Sequence, residues 1–117
     1  MERGTFKDSS PLQNRQERSE KILKENKDCI PIICELEPKS KLKLDKNKFI
    51  VPNSVSLGVF MATIRKRIPN LNHEQAIFML INKKIMGMSD TLDLIYAKEK
   101  DEDGFLYITL YEESTFG

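Results

Sequence analysis

The segment from Ser54 to Ile68 constrains the fold of this chain more than any other stretch. Its apolar residues recur at helical spacing, a serine at 54 or 56 can cap its start, and Pro69 ends it. Several other apolar segments are short and rich in β-branched or aromatic residues, which favours strands. One amphipathic helix must therefore cover a sheet. Some strands of that sheet precede the helix in the sequence and others follow it. That pattern predicts an α+β domain.

The other predicted elements give the topology. The order is helix, strand, strand, helix, strand, short helix, strand, over residues 12–26, 30–34, 49–51, 54–68, 77–81, 89–98 and 105–110. We expect the first two strands to form a hairpin, with the first one open on one side because Pro31 lacks an amide hydrogen. The strand at 77–81 is apolar throughout, so we expect it to be buried on both faces. A hairpin, a crossing helix and two further strands make the β-grasp arrangement of ubiquitin.

The length of 117 residues suits one domain with a real core. Residues 1–28 are polar and predict a helical extension packed on the outside of that domain. We expect residues 29–112 to form the β-grasp domain and residues 113–117 to be a flexible tail.

Charge and hydropathy exclude several classes of protein. The net charge of +1 gives no overall attraction to nucleic acid, and we expect no nucleic-acid partner. Lysines cluster between residues 39 and 48 and acids between 99 and 103, and both runs predict solvated loops. The longest apolar run, at 76–81, is far shorter than a membrane span, and the first residues lack the apolar core of a signal peptide.

Candidate catalytic and metal-binding residues are few. Cys29 and Cys34 lie about 16 Å apart along one predicted strand, which favours reduced thiols in a cytosolic protein. Cys34 and His73 are the only pieces of a thiol catalyst, and a thiol inside a buried strand stays protonated. The acidic run 101–104 lacks the spacing of a calcium loop, and the chain has no glycine-rich phosphate loop. We therefore expect no enzymatic activity, no metal and no cofactor.

Five short stretches, in this order, together resemble the ubiquitin-like autophagy modifiers of the GABARAP family. They are Lys48–Pro52, Gly58 with Phe60, Ile64–Ile68, Asp103 with Phe105–Ile108, and Glu113–Gly117. The resemblance runs from about Lys7 to the end of the chain and includes the polar helical extension.

The resemblance implies that Gly117 is a conjugation site. In that family an activating enzyme adenylates the terminal glycine with ATP, and the chain passes as a thioester to a conjugating enzyme. It ends as an amide on phosphatidylethanolamine, whose two acyl chains suffice for stable anchoring. Phe116 and Thr115 are implied in tail recognition, and a cysteine protease removes any residues beyond the glycine. The implied location is the cytoplasm, and the autophagosomal or a related vesicle membrane after lipidation.

The resemblance also implies a docking site for cargo receptors that carry short motifs with an aromatic and an aliphatic residue. Such a peptide adds as a strand to a sheet edge. The implied aromatic pocket consists of Ile22, Pro31, Ile33, Lys48, Ile50 and Phe105. The implied aliphatic pocket consists of Phe49, Val51, Pro52, Phe60 and Arg67. Lys46, Lys48 and Arg67 are implied partners for acidic residues beside the motif. Several of these apolar residues could equally be core, and we expect Lys48, Phe49 and Arg67 to be the exposed ones.

The sequence departs from the family pattern at two points beside the implied pockets. Arg18 replaces an acidic residue near the aromatic pocket, and Thr63 replaces an aliphatic one near the other pocket. Conjugation depends on the tail, so these changes bear on partner preference. Three alternatives remain: a modifier of a protein lysine, a non-covalent adaptor of vesicles or microtubules, and, as a distant third, a hydrolase that uses Cys34.

Overall fold

The computed structural model describes residues 4–72 and 74–113. Its helices are α1 Phe6–Ser9, α2 Leu12–Glu25, α3 Leu57–Arg65 and α4 Leu92–Glu99. Its strands are β1 Cys29–Leu36, β2 Lys48–Pro52, β3 Ile77–Ile81, β4 Lys84–Ile85 and β5 Leu106–Glu112. The sequence predictions on His73, Thr115, Phe116 and Gly117 concern residues outside the described ones.

The five strands form one mixed sheet in the order β2-β1-β5-β3-β4. Strands β1 and β5 are parallel neighbours at its centre, while β2 and β3 pair antiparallel on either side of them. Helix α3 packs across one face through its buried residues Leu57, Phe60 and Ile64. This arrangement confirms the predicted α+β fold, a ubiquitin-like β-grasp with an N-terminal helical part.

The start of α3 follows from its cap. The Ser56 hydroxyl accepts a hydrogen bond from the Val59 amide at 3.2 Å, which satisfies one of the free donors of the first turn. The prediction offered residue 54 or 56, and the structure selects the second. The regular helix ends at Arg65, and Ile68 is buried just beyond it in the following turn.

Two short elements were not predicted. Helix α1 has four residues, too few to show a hydrophobic period, although Thr5 and Asp8 form a capping box at its start. Strand β4 has two residues and follows β3 through a two-residue turn. Both turn residues, Asn82 and Lys83, have positive φ angles of 51° and 65°. Hairpin turns of this kind usually carry a glycine, and its absence here removed the usual sequence signal.

The prediction that the Pro31 strand has an open side was wrong, because β1 pairs on both sides. The Cys34 amide donates to the Asn47 carbonyl at 2.7 Å, on the β2 side. Backbone N–H groups point alternately to the two sides of a strand, so the backbone nitrogen of Pro31 is directed towards β5. Pairing with β5 starts one residue later, at Ile32 and Leu106. Pro31 thus lies just before the first β5 partner while Ile50 of β2 lies opposite it on the other side, and the outer edge of this strand pair belongs to β2.

The prediction that the 77–81 strand is buried on both faces was also wrong. Burial alternates along β3, with Met79 at 1% exposure and Phe78 at 36%. Helix α3 covers one face of the sheet. On the opposite face, Ile22 of α2 packs against β1 and the start of β5, and α2 leaves β3 partly open. An apolar run without alternation cannot distinguish these cases.

Candidate functional site

The candidate site begins with the outer edge of β2. This strand is the last in the sheet on its side, and no strand among the described residues pairs with its outer edge. Its inner edge pairs with β1 in a register that places Ile50 opposite Pro31 and Lys48 opposite Ile33. An unpaired edge presents a row of backbone donors and acceptors, which suits the addition of an extended peptide.

Strand geometry sorts the β2 side chains between the two faces of the sheet. Lys48 and Ile50 point to the α2 face and are exposed, with Ile50 44% accessible. Phe49 and Val51 point to the α3 face and are more buried. Pro52 shares the parity of Lys48, so the structure separates it from the other residues of the implied aliphatic pocket.

The structure brings the predicted aromatic-pocket residues together on the α2 face. Ile22, Ile33 and Phe105 form a buried cluster that is separate from the main core. Ile33 and Phe105 have no exposed surface and Ile22 is 9% exposed. Pro31 is buried beside them in the sheet, while Lys48 and Ile50 lie at the open edge. The cluster therefore supplies an apolar floor, and the edge strand supplies its accessible rim.

Phe6 is a neighbour of this cluster that the sequence prediction missed. Its ring packs edge-on against Phe105, with 5.4 Å between the ring centroids. Its amide donates to Glu35 Oε2 at 2.7 Å, which fixes α1 on the sheet. The capping box of α1 is the sequence signal that could have located it.

Arg18, which replaces an acidic residue of the family pattern, lies beside the aromatic cluster. Its Cζ atom is 5.8 Å from the centroid of the Phe6 ring, a cation–π contact. Arg18 is exposed, so its positive charge stands at the rim of the apolar floor.

On the α3 face, Phe49 packs edge-on against Phe60 with 5.5 Å between centroids. Phe49 is 6% exposed and Phe60 is 1% exposed, so both belong to the core. The expectation that Phe49 is exposed was wrong, because strand parity directs it under α3 while Lys48 takes the outward position. Val55 is half-buried against the same core, and its amide donates to the Pro52 carbonyl at 3.1 Å. It is a further candidate wall residue that the sequence prediction did not include.

Exposed cations border the edge strand. Lys46 lies with its Nζ atom 5.2 Å from the Phe49 ring centroid. Arg67, just beyond α3, accepts a hydrogen bond on its carbonyl oxygen from the Asp45 amide at 3.1 Å. This bond holds the loop that carries Lys46 against the residues that follow α3, and Lys46, Lys48 and Arg67 are all exposed.

A buried network holds α2 against the domain. Arg15 Nε donates to Asp103 Oδ2 at 2.9 Å, and the same carboxylate accepts from the Tyr107 hydroxyl and from the Phe105 amide. The hydrogen bond to Asp103 raises the pKa of Arg15 further above its ordinary value. Burial, followed by the neighbouring Asp103, raises the pKa of Tyr107. Asp103 is therefore a structural anchor beside Phe105.

The Cys34 thiol is shielded from solvent. Both cysteines are free, and Cys34 is fully buried in β1. Burial raises the pKa of the Cys34 thiol far above its ordinary value, which keeps it protonated and unreactive. Within residues 4–72 and 74–113, no group of three or more histidine, cysteine or acidic side chains could hold a metal ion. No helix in the same ranges is both long and apolar enough to cross a membrane.

Comparisons with known proteins agree with this architecture. The sequence model of the family described as "Autophagy protein Atg8 ubiquitin like" matches residues 14–117. Autophagy-related protein 8 of Cochliobolus heterostrophus is 42% identical over 116 residues, which cover 98% of this chain and 97% of that protein. The protein of the same name from Neurospora crassa is also 42% identical, over 98% of this chain and 95% of its own length.

Solved structures give the same result. The crystal structure of Trypanosoma brucei ATG8 superposes with a TM-score of 0.88 at 38% identity, covering 98% of this chain and 99% of that chain. Plasmodium falciparum Atg8, solved in complex with a Plasmodium falciparum Atg3 peptide, superposes with a TM-score of 0.84 at 27% identity. It covers 93% of this chain and 96% of its own. The family match, the identity over nearly the full length and the shared fold show that this chain belongs to the Atg8 family of ubiquitin-like autophagy proteins.

Proposed function

We propose that this protein is a ubiquitin-like modifier that is conjugated through Gly117 to phosphatidylethanolamine on autophagic or related membranes. Membership of the Atg8 family supports this proposal, as does the presence of the aromatic–glycine pair Phe116 and Gly117 within the matched residues. A terminal glycine has no Cβ, so its carboxylate can enter a narrow catalytic cleft on an extended tail. The protein is then a substrate of activating and conjugating enzymes, and of a cysteine protease where residues follow the glycine.

The chemistry of conjugation balances without a contribution from this chain's own side chains. ATP activates the Gly117 carboxyl group as an acyl adenylate and releases pyrophosphate. An enzyme cysteine displaces AMP to form a thioester, and the lipid amine then displaces that thiol to form an amide. Burial keeps the Cys34 thiol protonated, so it takes no part in these steps, and the thioesters form on cysteines of the enzymes.

We further propose that the β2 edge binds short peptides from cargo receptors and from conjugating enzymes. The observation that carries this proposal is the exposed pair Lys48 and Ile50 on an edge that no described strand pairs with, next to the buried floor of Ile22, Ile33 and Phe105. A peptide strand on this edge would gain backbone hydrogen bonds and place an aromatic side chain on that floor. The peptide bound by the Plasmodium falciparum relative supports the same class of ligand.

On the α3 face, the proposed aliphatic pocket rests on Val51 and the surface above Phe49 and Phe60. Both aromatic rings are core residues, so they would form its floor. Thr63 faces outward from α3, and its hydroxyl donates to the Val59 carbonyl at 3.3 Å. A shallow pocket with a polar border follows, which favours small aliphatic side chains over bulky ones.

A reconstituted conjugation tests the modifier function. The full chain and its Gly117→Ala variant would be incubated with activating and conjugating enzymes, ATP and vesicles that contain phosphatidylethanolamine, and intact mass would be followed. We expect a lipid-sized mass gain in the wild type and none in the variant. A relative known to react under the same conditions serves as the positive control.

Two other outcomes would replace this proposal. A branched peptide in digests of the product, in place of a lipid adduct, would identify a modifier of protein lysines. No mass gain beside a reacting control would favour a non-covalent adaptor of vesicles or microtubules. We propose a location in the cytoplasm before conjugation and on autophagosomal or related vesicle membranes after it.

A further inference from the structure

The segment between β1 and β2, here called the lysine loop (residues 38–47), packs two leucines against the main core. Leu42 is 4% exposed in the main core, and Leu44 packs against the same core. The lysines alternate with these leucines, so Lys41 and Lys43 point outward and are exposed. The loop therefore presents Lys41 and Lys43 to solvent, while Leu42 between them holds it to the core.

Backbone hydrogen bonds fix the loop in place. The Lys43 amide donates to Asn70 Oδ1 at 2.9 Å, and Asn70 Nδ2 donates to the Lys41 carbonyl at 3.1 Å. The Asp45 amide donates to the Arg67 carbonyl at 3.1 Å, which sets the loop against the basic end of α3. The cations are thus held in one place by bonds that do not use their side chains.

The end of β5 is joined to this loop. Glu112, the last residue of β5, accepts from the Ser40 hydroxyl and from the Lys41 amide, the latter at 3.2 Å. The chain that follows Glu112 therefore begins beside the exposed lysines. Among the described residues, no ion pair engages the side chains of Lys39, Lys41 or Lys43.

We propose that the lysine loop is a contact surface for the anionic headgroups of a membrane, and that it acts beside the conjugated tail. This inference rests on the proposed function, because conjugation at Gly117 would hold the start of the tail, and with it Glu112 and Lys41, close to the lipid surface. A single lipid attachment fixes position but leaves the orientation of the domain free. Lysines next to the tail's point of departure supply a second, electrostatic signal that orients the domain.

Membrane headgroups fit this surface better than the other polyanions. The lysines follow one extended segment rather than a groove, and no aromatic side chains interleave with them as in single-stranded nucleic-acid sites. Lys46 and Lys48 lie further along the chain towards the β2 edge and remain available to the acidic residues of docked peptides.

The test compares two triple variants that remove the same charge. One is Lys39→Gln, Lys41→Gln and Lys43→Gln, in which the backbone bonds of the loop are kept. The matched control is Lys24→Gln, Lys83→Gln and Lys98→Gln, three exposed lysines on other elements. Binding of each unconjugated full chain would be measured by sedimentation with vesicles of phosphatidylcholine alone, and of phosphatidylcholine and phosphatidylserine in equal parts.

We expect the wild type to prefer the anionic vesicles and to lose this preference as salt is added. Each lysine near the surface contributes about fivefold to binding, so the loop variant should bind on the order of a hundredfold less well. The control variant should stay close to the wild type. The proposal would be overturned by an equal loss of vesicle binding in both variants, or by a wild type that shows no preference for anionic vesicles. Binding to an RNA oligonucleotide would be measured in parallel, and a loss seen only there would overturn it as well.

A second measurement separates this inference from the proposed function. The chain would be attached chemically, through Gly117→Cys in a Cys29→Ser background, to a maleimide lipid in the same two kinds of vesicle. We expect the loop lysines to react more slowly with an acylating reagent on the anionic vesicles than on the neutral ones, while Lys83 reacts equally on both. Equal reactivity of the loop lysines on both surfaces would overturn the inference even if enzymatic conjugation succeeds, and their protection would support it even if conjugation fails.

Discussion

Arg15 in α2 and Asp103 at the entrance to β5 form a buried ion pair with 2.9 Å between Nε and Oδ2. The two residues are 88 positions apart, so this pair fastens the N-terminal helical part to the β-grasp sheet. The Ser19 hydroxyl donates to the carbonyl oxygen of Asp103, which adds a second tie from the same helix. Asp103 also accepts a hydrogen bond from the amide of Phe105, which is part of the floor of the candidate aromatic pocket, so the anchor helps to fix that floor.

Replacement of Asp103 by alanine is therefore expected to destabilise the protein. Removing one partner of a buried pair typically costs about 3–5 kcal/mol, because the other charge stays buried without compensation. The free energy of unfolding, measured by urea denaturation, should fall by that order. Glu102→Ala changes the exposed neighbouring acid and serves as the control. Equal effects of the two substitutions would contradict the anchoring role.

Acid should weaken the contact between the lysine loop and β5. The Ser40 hydroxyl, together with the Lys41 amide and Gln75, lowers the pKa of Glu112 below its ordinary value of 4.5. A carboxylate whose pKa is lowered by folding contributes stability above its unfolded pKa, and this contribution is lost as the pH falls through the folded pKa. Urea denaturation at a series of pH values should show stability falling below about pH 4.5. Glu112→Gln should flatten that fall, whereas Glu113→Gln should follow the wild type.

Ile50 should contribute to peptide binding and little to stability, because it is 44% exposed on the β2 edge. A docked peptide would bury the rest of its side chain. Ile50→Ala should therefore weaken binding by about 1–2 kcal/mol, or about five- to thirtyfold. Ile85→Ala, on the opposite edge strand and 69% exposed, provides a control of the same residue type. Titration calorimetry with a motif peptide would measure both, and a comparable loss in the control would contradict the placement of the site.

Arg18→Glu should strengthen binding of a peptide that carries tryptophan in its aromatic position. The guanidinium now stands at the rim of the aromatic cluster, where a carboxylate could accept a hydrogen bond from the indole N–H. A hydrogen bond to a charged group contributes about 1.5–3 kcal/mol, which corresponds to a gain of about tenfold or more. Arg18→Gln separates removal of the positive charge from introduction of the acceptor. Unchanged or weaker affinity of the glutamate variant, by titration calorimetry, would contradict the assignment.

Sequence reasoning located the elements whose signal is local. The helical period, the serine cap and Pro69 predicted α3, and β-branched residues predicted β1 and β2. The resemblance added the pocket residues, of which Ile22, Ile33 and Phe105 come together as one buried cluster. The two shortest elements were not predicted, because the four residues of α1 and the two of β4 are too few to show a hydrophobic periodicity.

The sequence by itself determined the β-grasp order, the family and the residue types available for conjugation and peptide docking, because these depend on local pattern and on motifs. Only the tertiary structure decided which edge is free and which side chains face outward. Neighbouring residues of a strand point to opposite faces of the sheet, so Phe49 points into the core and Lys48 to the surface. Which face of β2 becomes the buried one is decided only when α3 packs on that side of the sheet. The same holds for the lysine loop. Its position beside Glu112 arises from hydrogen bonds that Ser40 and Lys41 make to Glu112, which lies more than 70 positions further along the chain.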